Sequence, residues 1–264
     1  MFNARSIRNK LCELHYELYN YNSPTDCCII TESWLTNDFP NGLLDPDNKF
    51  DIYRCDRVGS RGGGVCVLIS KQFKSVQINA NINIVDDGFE IVVVDVIAKT
   101  TRKLRLISIY RQPRNDSTGI AHVRQLVACL ERIILKSGPT FIVGDLNCPH
   151  LNWITTSCES NSDSLKQLVD FTVNHGFDQL VHDATRGNNI LDVVFVNEPL
   201  CVCDVQVVDP FCNSDHNTIL FSASLLNDHP IDVPPSATTQ DNSNNTNRIN
   251  QTKNISGKMA IMRQ

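Results

Sequence analysis

The chain has 264 residues, of which 41% are hydrophobic and 20% are charged, and its formal net charge at pH 7 is −5. This length and composition are typical of a globular protein with a sizeable core, and the negative charge excludes the basic coat of many nucleic-acid-binding proteins. No apolar run approaches the roughly 20 residues that span a bilayer, and no apolar segment follows the basic N-terminus. We therefore expect an intracellular protein, nuclear or cytoplasmic, that is neither secreted nor bound to a membrane.

Cysteines are numerous, and their pattern predicts reduced thiols. Among the 11 cysteines, no two have the C-x-x-C spacing of zinc and redox sites. Cys27, Cys28 and Cys66 lie in apolar runs, where cysteine behaves as a small hydrophobic residue. Cys201 and Cys203 lack the second half of a metal site, so we interpret them as ordinary thiols as well.

Helix and strand patterns alternate along the chain. A first helix is predicted from Ser6, as the N-cap, to about Tyr21, because apolar residues there recur at helical spacing. Two more helices are predicted over residues 120–136 and 164–175. The predicted strands are CCIIT, GVCVLIS, FEIVVVDVI, LRLISIY, TFIVGD, LDVVFVN and NTILFSA. Strands that read as buried on both faces, interleaved with helices, predict an α/β sandwich.

The composition changes near residue 226. Beyond that point Asn, Ser, Thr and Pro dominate and large apolar residues are few. Such a segment cannot bury enough surface to offset the entropy of ordering it. Residues 1–225 are therefore predicted to form one domain, and residues 226–264 a disordered polar tail.

Polar side chains gather at the ends of the predicted strands. In chain order they are Glu32, Tyr110, Asp145, Asn147, Asp192, Asp215 and His216. Strand ends at one edge of a layered α/β fold converge, and carboxylates brought together there are costly unless protons or a cation neutralise them. A hard divalent ion such as Mg²⁺, which prefers oxygen ligands, would remove this repulsion.

Each of these residues alone has an ordinary structural explanation. Glu32 could be the acidic residue of a helix N-terminus, and Asp145 with Asn147 could form a polar turn. An Asp–His pair is often a surface contact, Asp192 could face solvent, and Tyr110 could be a half-buried strand aromatic. Together, in this order and all at strand ends, they favour a functional site.

Seven segments carry a family pattern: NARSIRNK, ITESWL, DRVGSRGGGVCVLI, SIYRQP, GDLNCPHLNW, TRGNNILDVVFVNEP and SDHNTILF. In this order they resemble the endonuclease/exonuclease/phosphatase superfamily, and within it the apurinic-type endonuclease domain of LINE-like non-LTR retrotransposons. The resemblance covers residues 1–225. It implies a four-layer α/β sandwich, in which two packed mixed β-sheets are flanked by helices, with one cleft that cuts phosphodiester bonds using Mg²⁺ or Mn²⁺.

The resemblance implies one group of residues that handles the metal and the water. Glu32 would hold the metal, with Asp215 as a second contact. Asp145 would orient or deprotonate the attacking water, and Asn3 would support Asp145 from the first strand.

A second implied group contacts the substrate phosphate. His216, paired with Asp192, would reach the scissile phosphate from one side and Tyr110 from the other, while Asn147 would hydrogen-bond the developing charge. An Asp-paired histidine can remain protonated near neutral pH, because the carboxylate favours the cationic form.

Two features depart from the superfamily pattern. An apolar strand normally precedes the asparagine, whereas Asn3 is the third residue here, so the first strand is predicted to be short or missing. Arg5 stands where DNA-repair relatives carry a carboxylate; it removes a metal contact from that strand and could instead meet phosphate.

Arginines in the predicted loops are candidates for substrate contact: Arg57, Arg61, Arg111, Arg114 and Arg186. Solvated loop side chains are the alternative interpretation for all of them. Arg186 and Arg111 are the two that we predict to bind substrate.

The resemblance implies a metal-dependent DNA endonuclease that nicks a target strand and exposes a 3′-hydroxyl primer for reverse transcription. Its partners would be DNA and a reverse transcriptase domain in a longer parent protein. Two alternatives remain: a phosphatase of the same superfamily that acts on soluble phosphoesters, and a catalytically inactive remnant of an element.

Overall fold

The computed structural model describes residues 1–20, 24–79, 88–97, 103–114, 116–153, 155–158 and 163–223. The predicted polar tail, residues 226–264, lies outside the described residues, as does Tyr21. The helices are α1 Leu11–Leu18, α2 Ser117–Ile133 and α3 Asp163–Asn174. The strands are β1 Phe2–Asn3, β2 Cys27–Thr31, β3 Phe50–Cys55, β4 Val65–Ser70, β5 Lys74–Gln77, β6 Phe89–Ile97, β7 Lys103–Arg111, β8 Thr140–Asp145, β9 Leu151–Asn152, β10 Ser157–Cys158, β11 Asp178–Gln179, β12 Asp192–Val196, β13 Val202–Val208 and β14 Thr218–Ala223.

The first sheet has the strand order β1-β2-β4-β3. Its short first strand runs parallel to β2, and the other neighbours are antiparallel. The hairpin β13-β14 continues this sheet, because Met1 and Ile219 exchange two backbone hydrogen bonds of 2.8 and 2.9 Å. The first strand, predicted to be short or missing, is present with two residues; β1 pairs with β2, and Met1 before it bonds to β14.

The second sheet has the order β11-β12-β8-β7-β6-β5, with β7 and β8 parallel and the remaining pairs antiparallel. Its centre is tightly packed at Gly144, where an added Cβ would lie 1.8 Å from the Ile109 carbonyl oxygen. Only glycine permits this approach, so the residue before Asp145 is set by packing between β7 and β8.

Four layers stack in the order α1, first sheet, second sheet, and α2 with α3. Strand β6 shows why the two sheets fit between helices. Phe89 and Ile91 pack with α2 and α3, whereas Val92 and Val94 pack between the sheets, because alternate residues of a strand face opposite sides. The predicted four-layer sandwich of two mixed β-sheets flanked by helices is confirmed.

Helix α1 starts later than predicted. Ser6 has φ 81° and its N–H donates to the Glu32 carbonyl at 2.9 Å, so it extends the pairing between β1 and β2 and cannot cap a helix. The helix begins at Leu11, after Lys10. Tertiary pairing with the segment after β2 thus overrides the helical pattern of residues 6–10.

Several strands escaped prediction, above all β3, β5 and β13. Their side chains are mostly half-buried or exposed, so they lack the apolar runs that marked the other strands. The buried thiols were predicted correctly: Cys27, Cys28 and Cys66 are free and buried, and burial raises the pKa of each. None of the described helices is long and apolar enough to cross a membrane.

Candidate active site

One edge of the paired sheets collects the predicted polar residues. Asn3 ends β1 and Glu32 follows β2 in the first sheet, while Asp145 ends β8 in the second. Asp145 pairs in register with Asp192, which begins β12, and with Tyr110, near the end of β7. Strand pairing therefore places three of these side chains on adjacent strands at the same level.

Asn3 links the two sheets at this edge. Its Nδ2 donates to Glu32 Oε1 at 3.1 Å and to Asp145 Oδ2 at 3.0 Å. Its Oδ1 accepts a hydrogen bond of 3.1 Å from the Arg5 backbone N–H, which fixes the orientation of the amide. One neutral side chain thus holds two carboxylates that would otherwise repel each other.

Two residues of the site lie on left-handed backbone. Glu32 has φ 48° and Asn147 has φ 49°, a conformation that costs non-glycine residues on the order of 1–3 kcal/mol. The Asn147 turn is held by its N–H, which donates to Asp145 Oδ1 at 3.0 Å, and by its Nδ2, which donates to the Arg111 carbonyl at 2.9 Å. Strain held in this way is typical of functional sites.

His216 and Asp192 form a buried pair beside Asp145. His216 Nδ1 lies 2.7 Å from Asp192 Oδ2 and 3.9 Å from Asp145 Oδ2. Burial alone lowers the pKa of His216, but the hydrogen bond to Asp192 and the charges of Asp192 and Asp145 outweigh it and raise the pKa to about 9. His216 is therefore a cation at neutral pH.

The pKa of the Asp145 carboxyl is also shifted by its surroundings. Burial raises its pKa, and the charge of Asp192 raises it further, against the lowering effects of His216 and of the Asn3 hydrogen bond. The net pKa lies well above the ordinary value of an aspartate. A carboxyl group with a raised pKa beside a buried cation is suited to exchanging a proton with water.

The acidic cluster could hold a cation. Ligand atoms of Asp145, Asp192 and His216 all lie within 4.8 Å of one another. Asp192 Oδ1 is buried and has no hydrogen-bond partner among the described residues, which is costly for a carboxylate. His216 Nδ1 is already hydrogen-bonded to Asp192 at 2.7 Å, so an ion fits better on the Glu32 side of Asp145.

Glu32 is the carboxylate best placed to receive that ion. It is half-buried, and its two oxygens accept from neutral donors, Oε1 from Asn3 at 3.1 Å and Oε2 from Trp34 Nε1 at 3.2 Å. Each carboxylate oxygen has two lone-pair sites, so both can still bind a cation. Tyr110, which pairs in register with Asp145, also lies beside Glu32. Burial raises the pKa of its phenol, and the charges of Glu32 and Asp145 and a side-chain hydrogen bond to Glu32 raise it further.

Asp215, predicted as a second metal contact, is paired with arginines instead. Arg186 Nη2 lies 2.6 Å from Asp215 Oδ2, and Arg5 Nη1 lies 3.2 Å from Asp215 Oδ1. These guanidinium groups outweigh the effect of burial and lower the pKa of Asp215. A carboxylate already neutralised by two cations is a poor metal ligand, so we leave Asp215 out of the proposed metal site.

Arg111 also differs from its predicted role. It is 3% exposed, and its guanidinium donates to the backbone carbonyls of Leu146 and Asn147, each at 2.6 Å. A side chain enclosed in this way cannot reach a phosphate in the cleft. Arg111 therefore shapes the loop that carries Asp145 and Asn147, and its buried guanidinium does not favour the predicted role in substrate binding.

Replacing Arg111 by alanine should lower the free energy of unfolding by about 2–4 kcal/mol, because two buried carbonyls lose charged donors. Urea unfolding would measure this. Arg114→Ala, which removes an exposed arginine three residues further on, is the matched control and should change stability by less than about 0.5 kcal/mol. Equal stabilities of the two variants would show that Arg111 does not hold the loop.

The remaining arginines divide by burial. Arg57 is buried and forms a bidentate pair with Glu90, with N–O distances of 2.6 and 3.1 Å, so it too is structural. Arg61 is exposed, with its guanidinium carbon 5.0 Å from the centre of the Trp34 ring. Arg186 is partly exposed and borders a cavity of about 450 Å³ that Asn147 also lines. Arg186 thus keeps access to the cleft.

Two positioning residues were missed from the sequence. Ser214 Oγ donates to the Asn3 carbonyl at 2.7 Å and accepts from the His216 N–H at 3.2 Å, which ties the two halves of the site together. Thr185 Oγ1 accepts from the Asp192 N–H at 3.1 Å and fixes the start of β12. Ser214 lies in the SDHN segment, but neither hydroxyl carries a sequence signal that separates it from an ordinary loop residue.

Comparison with known proteins agrees with this geometry. Residues 104–220 match the family model described as endonuclease-reverse transcriptase, and the comparison with curated proteins gave no match. The endonuclease domain of TRAS1, a telomere-specific non-LTR retrotransposon, superposes with a TM-score of 0.62 at 16% identity, over 84% of this chain and 95% of that chain.

Two DNA-processing enzymes have the same fold. An AP endonuclease from Archaeoglobus fulgidus gives a TM-score of 0.59 at 13% identity, over 85% of this chain and 98% of that one. A 3′ phosphatase from Neisseria, bound to a product DNA hairpin, gives 0.60 at 13% identity, over 83% and 95%. The family match over residues 104–220 and the shared fold agree with the resemblance to the endonuclease/exonuclease/phosphatase superfamily seen in the sequence.

Proposed function

We propose that this protein is a divalent-metal-dependent DNA endonuclease of the non-LTR retrotransposon type, which nicks target DNA to prime reverse transcription. The observation that carries the proposal is the arrangement around Asp145. A carboxyl group of raised pKa lies between a half-buried glutamate, Glu32, reached through Asn3, and a buried cationic histidine, His216. A base, a metal-binding carboxylate and a fixed positive charge together supply what metal-assisted phosphodiester hydrolysis requires, an activated water and stabilisation of the charge on the phosphate.

The residues divide the reaction between them. Asp145 accepts a proton from the attacking water as the water oxygen bonds to phosphorus, the P–O3′ bond breaks, and the departing 3′ oxygen takes up a proton from solvent. His216, held by Asp192 at 2.7 Å, donates to the phosphate as negative charge grows on it. Asn147 donates one amide hydrogen to the Arg111 carbonyl, and its second amide hydrogen is available to donate to the same phosphate.

Glu32 would hold the metal, with Asp145 next to it through their shared Asn3 donor. A bound Mg²⁺ or Mn²⁺ would act as a Lewis acid on the phosphate oxygens and lower the pKa of water. Mg²⁺ fits this oxygen-rich set, because it usually binds one or two protein carboxylates and keeps the rest of its shell for water and phosphate.

Three observations support a DNA substrate and a larger parent protein. The matched family is described by an endonuclease linked to a reverse transcriptase, the retrotransposon endonuclease domain shares the fold, and Arg186 stands partly exposed beside the site. We propose that residues 1–225 form the nuclease domain, that residues 226–264 are a polar tail outside it, and that the protein acts inside the cell on chromosomal DNA.

Incubation of the protein with supercoiled plasmid tests this proposal. Nicked circles should accumulate with Mg²⁺ or Mn²⁺ and should not form with EDTA. A parallel incubation with an inositol phosphate separates the phosphatase alternative: release of phosphate without nicking would reject the endonuclease. Neither activity, together with an unchanged melting temperature on addition of metal, would indicate a catalytically inactive remnant.

A further inference from the structure

Asn3 and Trp34 donate to the two oxygens of Glu32, the proposed metal-binding carboxylate, and the Tyr110 hydroxyl also bonds to this carboxylate. Asn3 binds Oε1 at 3.1 Å and is itself anchored to Asp145 at 3.0 Å. Trp34 donates from its indole Nε1 to Oε2 at 3.2 Å. The indole is the donor bonded to Oε2, so the direction of the free lone pairs on that oxygen depends on the indole.

Backbone hydrogen bonds hold Trp34, the residue that carries this indole. Trp34 has φ 52°, two residues after the left-handed Glu32, and its N–H donates to the Gly63 carbonyl at 3.0 Å. Ser33 N–H donates to the Gly64 carbonyl at 3.2 Å in the same way. Through these two bonds the segment 32–34 lies against residues Gly62–Gly64, which we call the glycine loop.

The glycine loop can approach this closely only without side chains. All three glycines have positive φ, and a Cβ on Gly64 would lie 2.6 Å from Ser33 Oγ. A Cβ on Gly63 would lie 2.4 Å from the guanidinium carbon of Arg57, whose bidentate pairing with Glu90 fastens it to β6 of the second sheet. The support of the indole thus extends to the opposite sheet.

The guanidinium of Arg61 lies over the indole ring of Trp34. Its guanidinium carbon lies 5.0 Å from the centre of the Trp34 ring, a distance at which cation and ring attract. The cation contacts the ring and leaves the N–H edge free for Glu32. Both oxygens of Glu32 therefore remain bonded to neutral groups, whereas those of Asp215 are bonded to guanidinium groups.

We propose that Trp34 is a positioning residue for the metal: its indole N–H orients Glu32 so that the carboxylate presents fixed lone pairs to the divalent cation. This inference rests on the proposed function, since it assigns the metal to Glu32. Groups that orient metal ligands commonly contribute about 10- to 100-fold in metal affinity or activity. The effect should appear in the concentration of metal required and much less in the rate at saturating metal.

Two substitutions separate orientation from packing. Trp34→Phe keeps an aromatic ring beneath Arg61 and removes the N–H donor. Trp34→His restores a donor, because Nε2 of histidine occupies the same ring position relative to Cγ as Nε1 of tryptophan. If the ring acted only by packing, the smaller histidine would be the poorer replacement.

The protein contains two tryptophans, which gives a direct binding signal. Trp153 is buried, packs edge-on against Phe195 at 5.1 Å, and its N–H has no partner among the described residues. Trp153→Phe should therefore fold normally and leave Trp34 as the only tryptophan. Titration of this variant with Mg²⁺ or Mn²⁺ should change the fluorescence of Trp34, and EDTA should reverse the change.

The decisive measurement is nicking rate against Mg²⁺ concentration for Trp153→Phe, Trp34→Phe and Trp34→His. We expect the half-saturating Mg²⁺ concentration to rise about ten-fold or more in Trp34→Phe, with a near-normal rate at saturation, and to return toward normal in Trp34→His. Melting temperatures with and without metal provide a readout that does not depend on activity.

An unchanged Mg²⁺ requirement in Trp34→Phe, or equal defects in the phenylalanine and histidine variants, would overturn the inference while leaving the endonuclease proposal intact. A Trp153→Phe control that neither responds to metal nor nicks DNA would instead reject the proposed function, and the role of Trp34 with it.

Discussion

Replacing Asp145 by asparagine is expected to lower the rate of plasmid nicking by about a thousand-fold, within the range assigned to loss of a general base. The substitution keeps the size of the side chain and an oxygen that can accept from the Asn147 N–H, which now donates to Asp145 Oδ1 at 3.0 Å. It removes the group that takes the proton from water. The defect should therefore persist at saturating Mg²⁺.

The structure offers a matched control for this change. Asp178 is an exposed aspartate on β11 of the same sheet, and it pairs with Val196 at the opposite end of β12 from Asp192. Asp178→Asn makes the same chemical change away from the site and should nick at the normal rate. Circular dichroism would establish that both variants are folded. Near-normal nicking by a folded Asp145→Asn protein would remove Asp145 from the mechanism.

Replacing Asp192 by asparagine is expected to move the alkaline limit of nicking to lower pH. In the native protein the pKa of His216 is raised to about 9, because the hydrogen bond and charge of Asp192 outweigh burial. Without that charge, burial lowers the pKa of His216, so the imidazolium is lost at a lower pH. Activity measured from pH 6 to 10 should fall above about pH 9 in the native enzyme and earlier in the variant.

The same pair should make stability depend on pH. The folded pKa of His216, about 9, is higher than the ordinary value of 6.5. A raised histidine pKa gives stability that is fully present below about pH 6.5 and is lost as the pH rises through about 9. Urea unfolding should show this loss, on the order of a few kcal/mol, and a smaller loss in Asp192→Asn.

Glu131→Gln is the matched control for the histidine pair. Glu131 accepts from His175 at 2.8 Å in a similar contact, but both side chains are partly exposed, so solvent screens their interaction. The pH–rate profile of the Glu131→Gln variant should match that of the native enzyme. If Asp192→Asn also kept the native alkaline limit, His216 could not be the cation that supports the phosphate.

The two largest expected effects, on the nicking rate and on its alkaline limit, fall on Asp145 and Asp192, which the sequence already indicated as site residues. They could be found because the pattern that indicates them is local in the sequence. Asp145, Asn147, Asp192 and His216 follow or precede short apolar runs, whose length and flanking turn residues indicate strands buried on both faces. Once the strands are placed, residues at their ends must lie at the edge of the sheet where the strands terminate. Position at a sheet edge is therefore readable from apolar pattern alone.

The partners of a charged side chain are not readable in this way. Arg111 and Arg186 look alike in sequence, yet Arg111 is enclosed by the carbonyls of Leu146 and Asn147 whereas Arg186 is partly exposed. Asp215 resembled a metal ligand until its two arginine partners were located. Partners separated by tens or hundreds of residues depend on how the two sheets are packed, which no local pattern encodes.

The sequence by itself determined the layered α/β class, most of the central strands, the short first strand and the identity of the chemical groups at the cleft. The tertiary structure decided which of these groups are neutral, charged or already paired. It also decided that residues 6 and 7 extend a strand pairing instead of starting a helix, and that Trp34 contacts Glu32. The physical reason is that burial and pairing, which set pKa and ligand availability, arise only when distant segments meet.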